Sequence, residues 1–523
     1  MGQPDNNKEF RAAEVIGAAC LATDLGMGFP FEHGIESTLV SSRLARLLDV
    51  DIETETQVFY LSLLMYLGCN TDAEPNLRLF GGSGLEHITP HQFGGNLEMF
   101  RGVLRALPDP EASPLTRTYQ VLTRLPQARN FQSEHFASMC EVAVVLSDRL
   151  GAPPEVSEIF NVLTERWDGN SALGRAQGED VPMALRIVHV ARDGAFQYLL
   201  GGVERAVAVV RDRAGGAFDP QVAETFADNA ADLLSPHDSG SIWEDFLALE
   251  PKPHRMLGLD EFDRAAAALG DFADMVSPRM SGHSPGVAEL VEAAAGIAGM
   301  DDDDRRRIRQ AALVHDVGRA AIHPRIWQKP GRLNADEWEQ VRLHPYHTSR
   351  VLAPSRPLQG LADVACCHHE NVDGSGYHRG VPAAALTPGA RLLAAADSFH
   401  ALGEPRHHRE PFSREEAARL LTEDAREGRL DGDAVAAVIE AAGLDPPDIT
   451  DPADLTSREA EVIGLLARGL QTKQIASRLD ISPKTADRHI QNAYRKMGVS
   501  TRAAATLYAT EHGLVPWGEF PIK

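Results

Sequence analysis

An ordered set of residues occurs twice along this chain of 523 residues. Glu165-Arg166-Trp167-Asp168-Gly169 is followed by Pro182 and Arg186, by Asp193, and by Gly216-Ala217-Phe218-Asp219-Pro220. Further on, Glu370-Asn371-Val372-Asp373-Gly374 is followed by Pro388 and Arg391, by Asp397, and by Gly428-Arg429-Leu430-Asp431-Gly432. Asp168 and Asp193 lie 25 positions apart, Asp373 and Asp397 lie 24 apart. The same order at nearly the same spacing reads as two divergent copies of one domain. Apolar residues recur three and four positions apart and alternating runs are scarce, so the fold class is mainly α. Proline and turn formers at 235–240, 251–254 and 444–452 cannot continue a helix, and they cut the chain into pieces 1–235, 255–445 and 453–523.

Charge limits the partners. The chain has 75 acidic against 51 basic side chains, a formal charge of −24. Spread evenly, that charge repels nucleic acid, so any DNA contact must sit on a local patch. The apolar stretch 58–69 falls short of the roughly 20 residues a membrane-spanning helix needs. The first residues include acidic ones and lack a charged-then-apolar leader, so a cytoplasmic protein without membrane contact is expected. Five cysteines without a Cys-x-x-Cys pair imply neither a disulfide framework nor structural zinc.

The second piece carries His283, His315-Asp316, His344, His368-His369 and Asp397, potential metal ligands spread over about five expected helices. Neutral imidazoles with carboxylates suit Fe, Mn or Zn, and one carboxylate can bridge two ions. Neighbours on a helix point about 100° apart, so each member of a His-Asp or His-His pair would serve a different ion.

His315-Asp316-Val317-Gly318-Arg319 resembles the His-Asp-x-Gly-Lys signature of HD-GYP phosphodiesterases. His368-His369-Glu370 with Asp373-Gly374-Ser375-Gly376-Tyr377-His378 resembles their second signature, with His378 in place of proline. The resemblance runs over about 274–442 and implies a helical bundle whose metal centre hydrolyses cyclic di-GMP. It implies His283, His315, Asp316, His344, His368, His369 and Asp397 as ligands, with Asp316 bridging. Relatives with a third ion add a glutamate where this chain has Arg279, so two divalent ions, Fe or Mn, are expected. Arg319 stands where the family has its signature lysine and would steady the phosphate as a catalytic group. Arg406 and Arg409 match positions that contact substrate phosphates.

In the first piece, Tyr66-Leu67-Gly68-Cys69 reads as falling where the first signature should be, after a helix over 59–65, and Leu163-Thr164 replace the paired histidines. His33 and Asp193 survive there, but two isolated groups cannot hold a binuclear centre. A degenerate, metal-free HD-GYP-like copy over 1–235 is expected.

At 456–459, Thr-Ser-Arg-Glu forms a capping-box pattern opening a helix, a short helix follows from Thr472, and Ser482 opens a third. From 451 to 523 there are ten basic and eight acidic residues, a mildly positive segment on an acidic chain. Three short helices with a tight turn suit a helix-turn-helix. The wording resembles the LuxR/GerE DNA-binding domain: Leu455 to Val462, Ile475-Ala476, Ile481 to Thr485, His489, Lys496 to Val499 and Arg502 fall in place. The resemblance implies base-edge contacts from Asp487, Arg488 and Gln491, and phosphate contacts from Lys473, Lys484, Thr485 and Lys496.

Together these features lead us to expect a transcriptional regulator that hydrolyses cyclic di-GMP or a related cyclic dinucleotide and binds DNA as a homodimer. The alternative is a catalytically inactive, nucleotide- or metal-sensing LuxR-type transcription factor.

Overall fold

The computed structural model describes residues 9–514 apart from 71–78, 81–87, 110–111, 236–239, 382, 408, 448–454, 480 and 512–513. Parts of the linkers read at 235–240 and 444–452 therefore lie outside the described residues. The chain divides into two compact units, one of 1–284 with 316–362, the other of 285–315 with 363–523. Among the described residues the fold is helical, and its one sheet pairs Phe10–Arg11 antiparallel with Met256–Leu257 in the first unit.

The repeat seen in the sequence is a repeat of scaffold. Helices His33–Leu47 and Ile52–Leu64 recur as His283–Ile297 and Asp302–Val314, every bound 250 positions later (283 less 33). Asp51 and Asp301 cap the second helix of each pair by accepting from the amides of Thr54 and Asp304. Before the first helix of each pair, a buried carboxylate holds the chain. Asp24 accepts from the Gly34 amide at 2.9 Å, and Asp274 accepts from the Ser284 amide and hydroxyl at 2.9 Å. Arg186 pairs with Asp219 and Arg391 with Asp431, both at 2.8 Å, and the two aspartates cap the helices Pro220–Leu233 and Gly432–Ala441.

This register corrects the sequence reading of the first copy by one residue. Met65 and Tyr66, not Tyr66 and Leu67, occupy the positions of His315 and Asp316. The preceding helix runs from Ile52 to Leu64 rather than over 59–65. Its first half is polar and partly exposed, so only its buried second half carried an apolar signal.

Burial lifts the Asp24 carboxyl from 3.8 to about 7, although the Gly34 amide and the Arg192 charge pull it down. The folded state then holds a proton that the unfolded chain releases above about pH 4. Asp24's stabilising contribution is full below that value and is lost as pH rises through about 7, at up to about 1.4 kcal/mol per pH unit. Asp24→Asn is expected to flatten this part of the stability profile, and denaturation midpoints at pH 4.5 and pH 7.5 that shift equally in both proteins would refute it.

The C-terminal segment forms helices Ser457–Ala467, Thr472–Arg478 and Pro483–Met497, with Thr456 and Ser482 as caps. A fourth helix, Arg502–Glu511, was not expected. It packs on the first, where Arg502 donates to the carbonyls of Leu466 and Leu470. Val462, Ile463, Ile475, Ala486, Ile490 and Ala505 form the core.

Candidate metal centre

The seven residues lie on five helices or just past their ends. His283 and His344 are the first residues of the helices His283–Ile297 and His344–Leu352, and Asp397 lies inside Pro388–Leu402. His315 and Asp316 follow the end of Asp302–Val314, and His368 and His369 follow the end of Arg356–Ala365. Adjacent side chains diverge on a helix, so both signature pairs sit where the helix has stopped and the backbone can turn.

Three histidines share one device. Nδ1 of His315, His344 and His368 lies 2.6 Å from the carbonyls of Ala312, Val341 and Ala365, each three residues earlier. A carbonyl can only accept, so Nδ1 carries the proton and donates, and Nε2 is left as a lone-pair donor for a metal. All three residues are buried.

In the first unit, Asp316 stands between two imidazoles: its carboxylate lies 3.3 Å from His283 Nε2 and 3.3 Å from His344 Nε2. Arg319 donates to the same carboxylate at 2.6 Å, approaches His283 Nε2 at 3.5 Å and lies over the Trp327 ring at 5.5 Å. Gly318 allows the signature turn to approach the next helix. A Cβ there would lie 2.2 Å from the His344 carbonyl, and the Gly318 amide donates to the Thr348 hydroxyl.

In the second unit, Asp397 lies 3.7 Å from His315 Nε2 and 3.8 Å from His369 Nδ1. The His315 and His368 rings meet edge to face, the His369 ring is tilted against His368, and Tyr377 lies against His369 with ring centroids 4.6 Å apart. Glu370, buried and given no role of its own from the sequence, accepts from the amides of Arg379 and Val381, and so folds the loop that carries His378 back on itself. Gly376 permits that turn, since a Cβ would lie 2.3 Å from the Asn371 amide nitrogen.

Each unit thus brings imidazole nitrogens to within 4 Å of a buried carboxylate. A neutral Nε2 and a carboxylate oxygen both present lone pairs, so that approach favours a cation between them. The donor set fits the metal that HD domains require, and the described residues include a His/Asp cluster that could bind it.

Other expected groups have partners of their own. Arg406 pairs with Glu404 at 2.8 Å. Glu404 also meets His400, one helical turn back, at 3.1 Å; this acidic anchor was missed in the sequence, where an i, i+4 His/Glu spacing was its only signal. The Arg409 guanidinium donates to the carbonyls of Ala401 and Leu402 and lies over Phe412, clasping the end of the Pro388–Leu402 helix. In the C-terminal segment, Lys473, Lys484, Asp487, Arg488 and Gln491 are exposed, Thr485 is half-buried, and Lys496 is paired with Glu459 at 2.6 Å.

In the first copy, His33 lies buried between the rings of Phe29 and Phe196, and burial with the nearby Arg192 charge pushes its pKa down to about 3. Arg192 lies 4.4 Å over the Tyr66 ring and donates to the Ser62 carbonyl. Asp193 pairs with Arg213 at 2.5 Å.

The scaffold and donor set of the second copy are those of an HD-domain phosphodiesterase, and a segment of the luxR kind follows it. Residues 268–434 match the HD domain family, and residues 453–509 match the bacterial regulatory proteins of the luxR family. Over 448 residues, 84% of this chain and 96% of the relative, the chain is 27% identical to 3'3'-cGAMP-specific phosphodiesterase 3 of Vibrio cholerae. It is 33% identical to a cyclic di-GMP phosphodiesterase of Pseudomonas aeruginosa, over 31% of this chain and 39% of the relative. Its fold is similar to the crystal structure of a cyclic GMP-AMP-specific phosphodiesterase of V. cholerae, with a TM-score of 0.59 and 23% identity over 84% of this chain and 99% of that one. Among the described residues no helix is long and apolar enough to cross a membrane.

Proposed function

We propose that His283, Asp316 and His344, with His315, His368, His369 and Asp397, form one binuclear centre that hydrolyses a cyclic dinucleotide, cyclic di-GMP or 3'3'-cGAMP. The peptide bond between His315 and Asp316 ties the two sets together. The observation that carries this reading is the shared Nδ1-to-carbonyl bond of His315, His344 and His368, which leaves three Nε2 lone pairs available to a metal. Two divalent ions, Fe or Mn, would supply positive charge against the phosphodiester anion and make a water acidic enough to attack near neutral pH. Asp316 would bridge, Arg319 would hold the Asp316 side and steady the developing charge, and Arg406 would meet a substrate phosphate. Arg409 would act by holding the loop that presents Arg406. Anaerobic protein given Mn(II) and either cyclic dinucleotide is expected to release a linear or mononucleotide product. Metal bound without product from either would favour the sensor reading, which the direct Arg319–Asp316 ion pair supports.

The proposed organisation is a metal-free copy over 1–235, a hydrolase domain over 255–445 and a DNA-binding domain over 453–523, acting as a homodimer on paired half-sites. Sedimentation as a monomer on DNA would exclude the pairing. Arg488, exposed on the third helix of the last segment, is the proposed base-reading side chain. Arg488→Ala is expected to cost about 1–3 kcal/mol of specific binding and to relax preference at one base pair. A gel shift with unchanged affinity and sequence preference would remove it from the interface.

A further inference from the structure

Within the first unit, the degenerate copy grips the elements that carry ligands of the second. Its helix Ala12–Met27 packs against Val317–Ala321, the turn just after Asp316, and against His344–Leu352, the helix that begins with His344. Beyond that helix the chain turns at Glu32, whose φ of 76° is left-handed, and Phe31 beside it presents its ring face to the Arg350 guanidinium at 4.0 Å. Arg350 lies six residues along the helix from His344. A second grip comes from Glu14, 7% exposed, whose carboxylate accepts from the Arg356 amide at 3.1 Å. Glu14 therefore caps the helix Arg356–Ala365, after which the chain reaches His368-His369. These grips need no metal in the first copy: Phe29, two residues before Phe31, is fixed by the rings of His33, Tyr66 and Phe196.

We propose that the first copy is a positioning domain, and that Phe31 on Arg350 and Glu14 on Arg356 hold the two helices that aim His344 and His368-His369 at the metal. Arg350 is thus a positioning residue, two steps from the ions. The inference rests on the proposed metal centre. It gives the degenerate copy a role of its own: any ligand or partner that displaces the 28–32 turn would change metal affinity at a site it does not touch.

The test is a titration of metal-stripped, full-length protein with Mn(II) alone, following free Mn(II) by electron paramagnetic resonance, which requires no substrate. Phe31→Ala and Arg350→Ala are each expected to raise the half-saturating Mn(II) concentration roughly tenfold, the scale seen when groups that support metal ligands are lost. Arg350→Lys and Phe31→Tyr preserve a cation over a ring and are expected to bind within about twofold of the parent. The double alanine variant should be no worse than either single one, because both remove the same contact. Phe31→Leu retains apolar volume without the ring face, and it tests the contact even if Phe31→Ala unfolds. Parental Mn(II) binding by the alanine and leucine variants, or strictly additive losses, would overturn the proposal while leaving the metal centre standing. Absence of Mn(II) uptake by the parent protein would overturn both.

Discussion

Asp316→Asn protein is expected to fold, to lose bound metal, and to hydrolyse cyclic dinucleotide at least about a thousandfold more slowly. The amide has the shape of the carboxylate but not its charge, and Asp316 is the carboxylate that both His283 and His344 approach at 3.3 Å. If two cations supply several kcal/mol of charge stabilisation, losing them removes a factor of ten for every 1.36 kcal/mol. The same change leaves the buried Arg319 guanidinium without its carboxylate partner, so some loss of stability accompanies the loss of metal. Elemental analysis and product chromatography on one preparation separate the effects. Full metal content with activity within tenfold of the parent would show that Asp316 is not a ligand.

The second large effect concerns the first copy. Arg213→Met is expected to destabilise the protein by about 3–5 kcal/mol, because it leaves a charged carboxylate buried without its partner. The side chains of Arg213 and Asp193 are 3% and 2% exposed, and burial already pushes the Asp193 carboxyl above its ordinary value even with the guanidinium beside it. Arg213 also reaches Glu98 at 3.1 Å and the Pro90 carbonyl at 3.0 Å, so the loss loosens three segments together. Adding Asp193→Asn removes the stranded charge and should recover part of the loss. Denaturant unfolding would decide, and a single-variant loss below about 1 kcal/mol would mean that water or another cation reaches Asp193 readily.

Much of this was legible in the sequence because spacing reports scaffold. The Glu165 and Glu370 sets were matched by order and spacing, and the structure gives each the same Arg–Asp pair at 2.8 Å. Thr456 and Ser482 cap the helices they were expected to cap, because their hydroxyls compete for amides only at a helix start. Periodicity does not report where a helix stops, so the placement of His315 and His368 just past helix ends, with their Nδ1-to-carbonyl bonds, was invisible. The one-residue error at Tyr66 has a related origin: no ligand remains at positions 65 and 66 to pin the register. Arg409 and Lys496 read as charged groups awaiting phosphate because composition cannot see a carbonyl or a glutamate brought close by the fold.

The two copies answer the same electrostatic demand in different currencies. In the first, Arg192 over Tyr66 and Arg213 on Asp193 place two guanidinium charges beside the positions that correspond to Asp316 and Asp397 of the second, and these charges are covalently part of the chain. A carboxylate returned at position 66 would meet Arg192 before it met a metal. No chelator can remove those charges, whereas metal bound at the proposed centre of the second copy would stabilise the fold by an amount that grows with the logarithm of its free concentration. Because the first copy grips elements that carry proposed ligands of the second, metal bound there would in turn steady that grip.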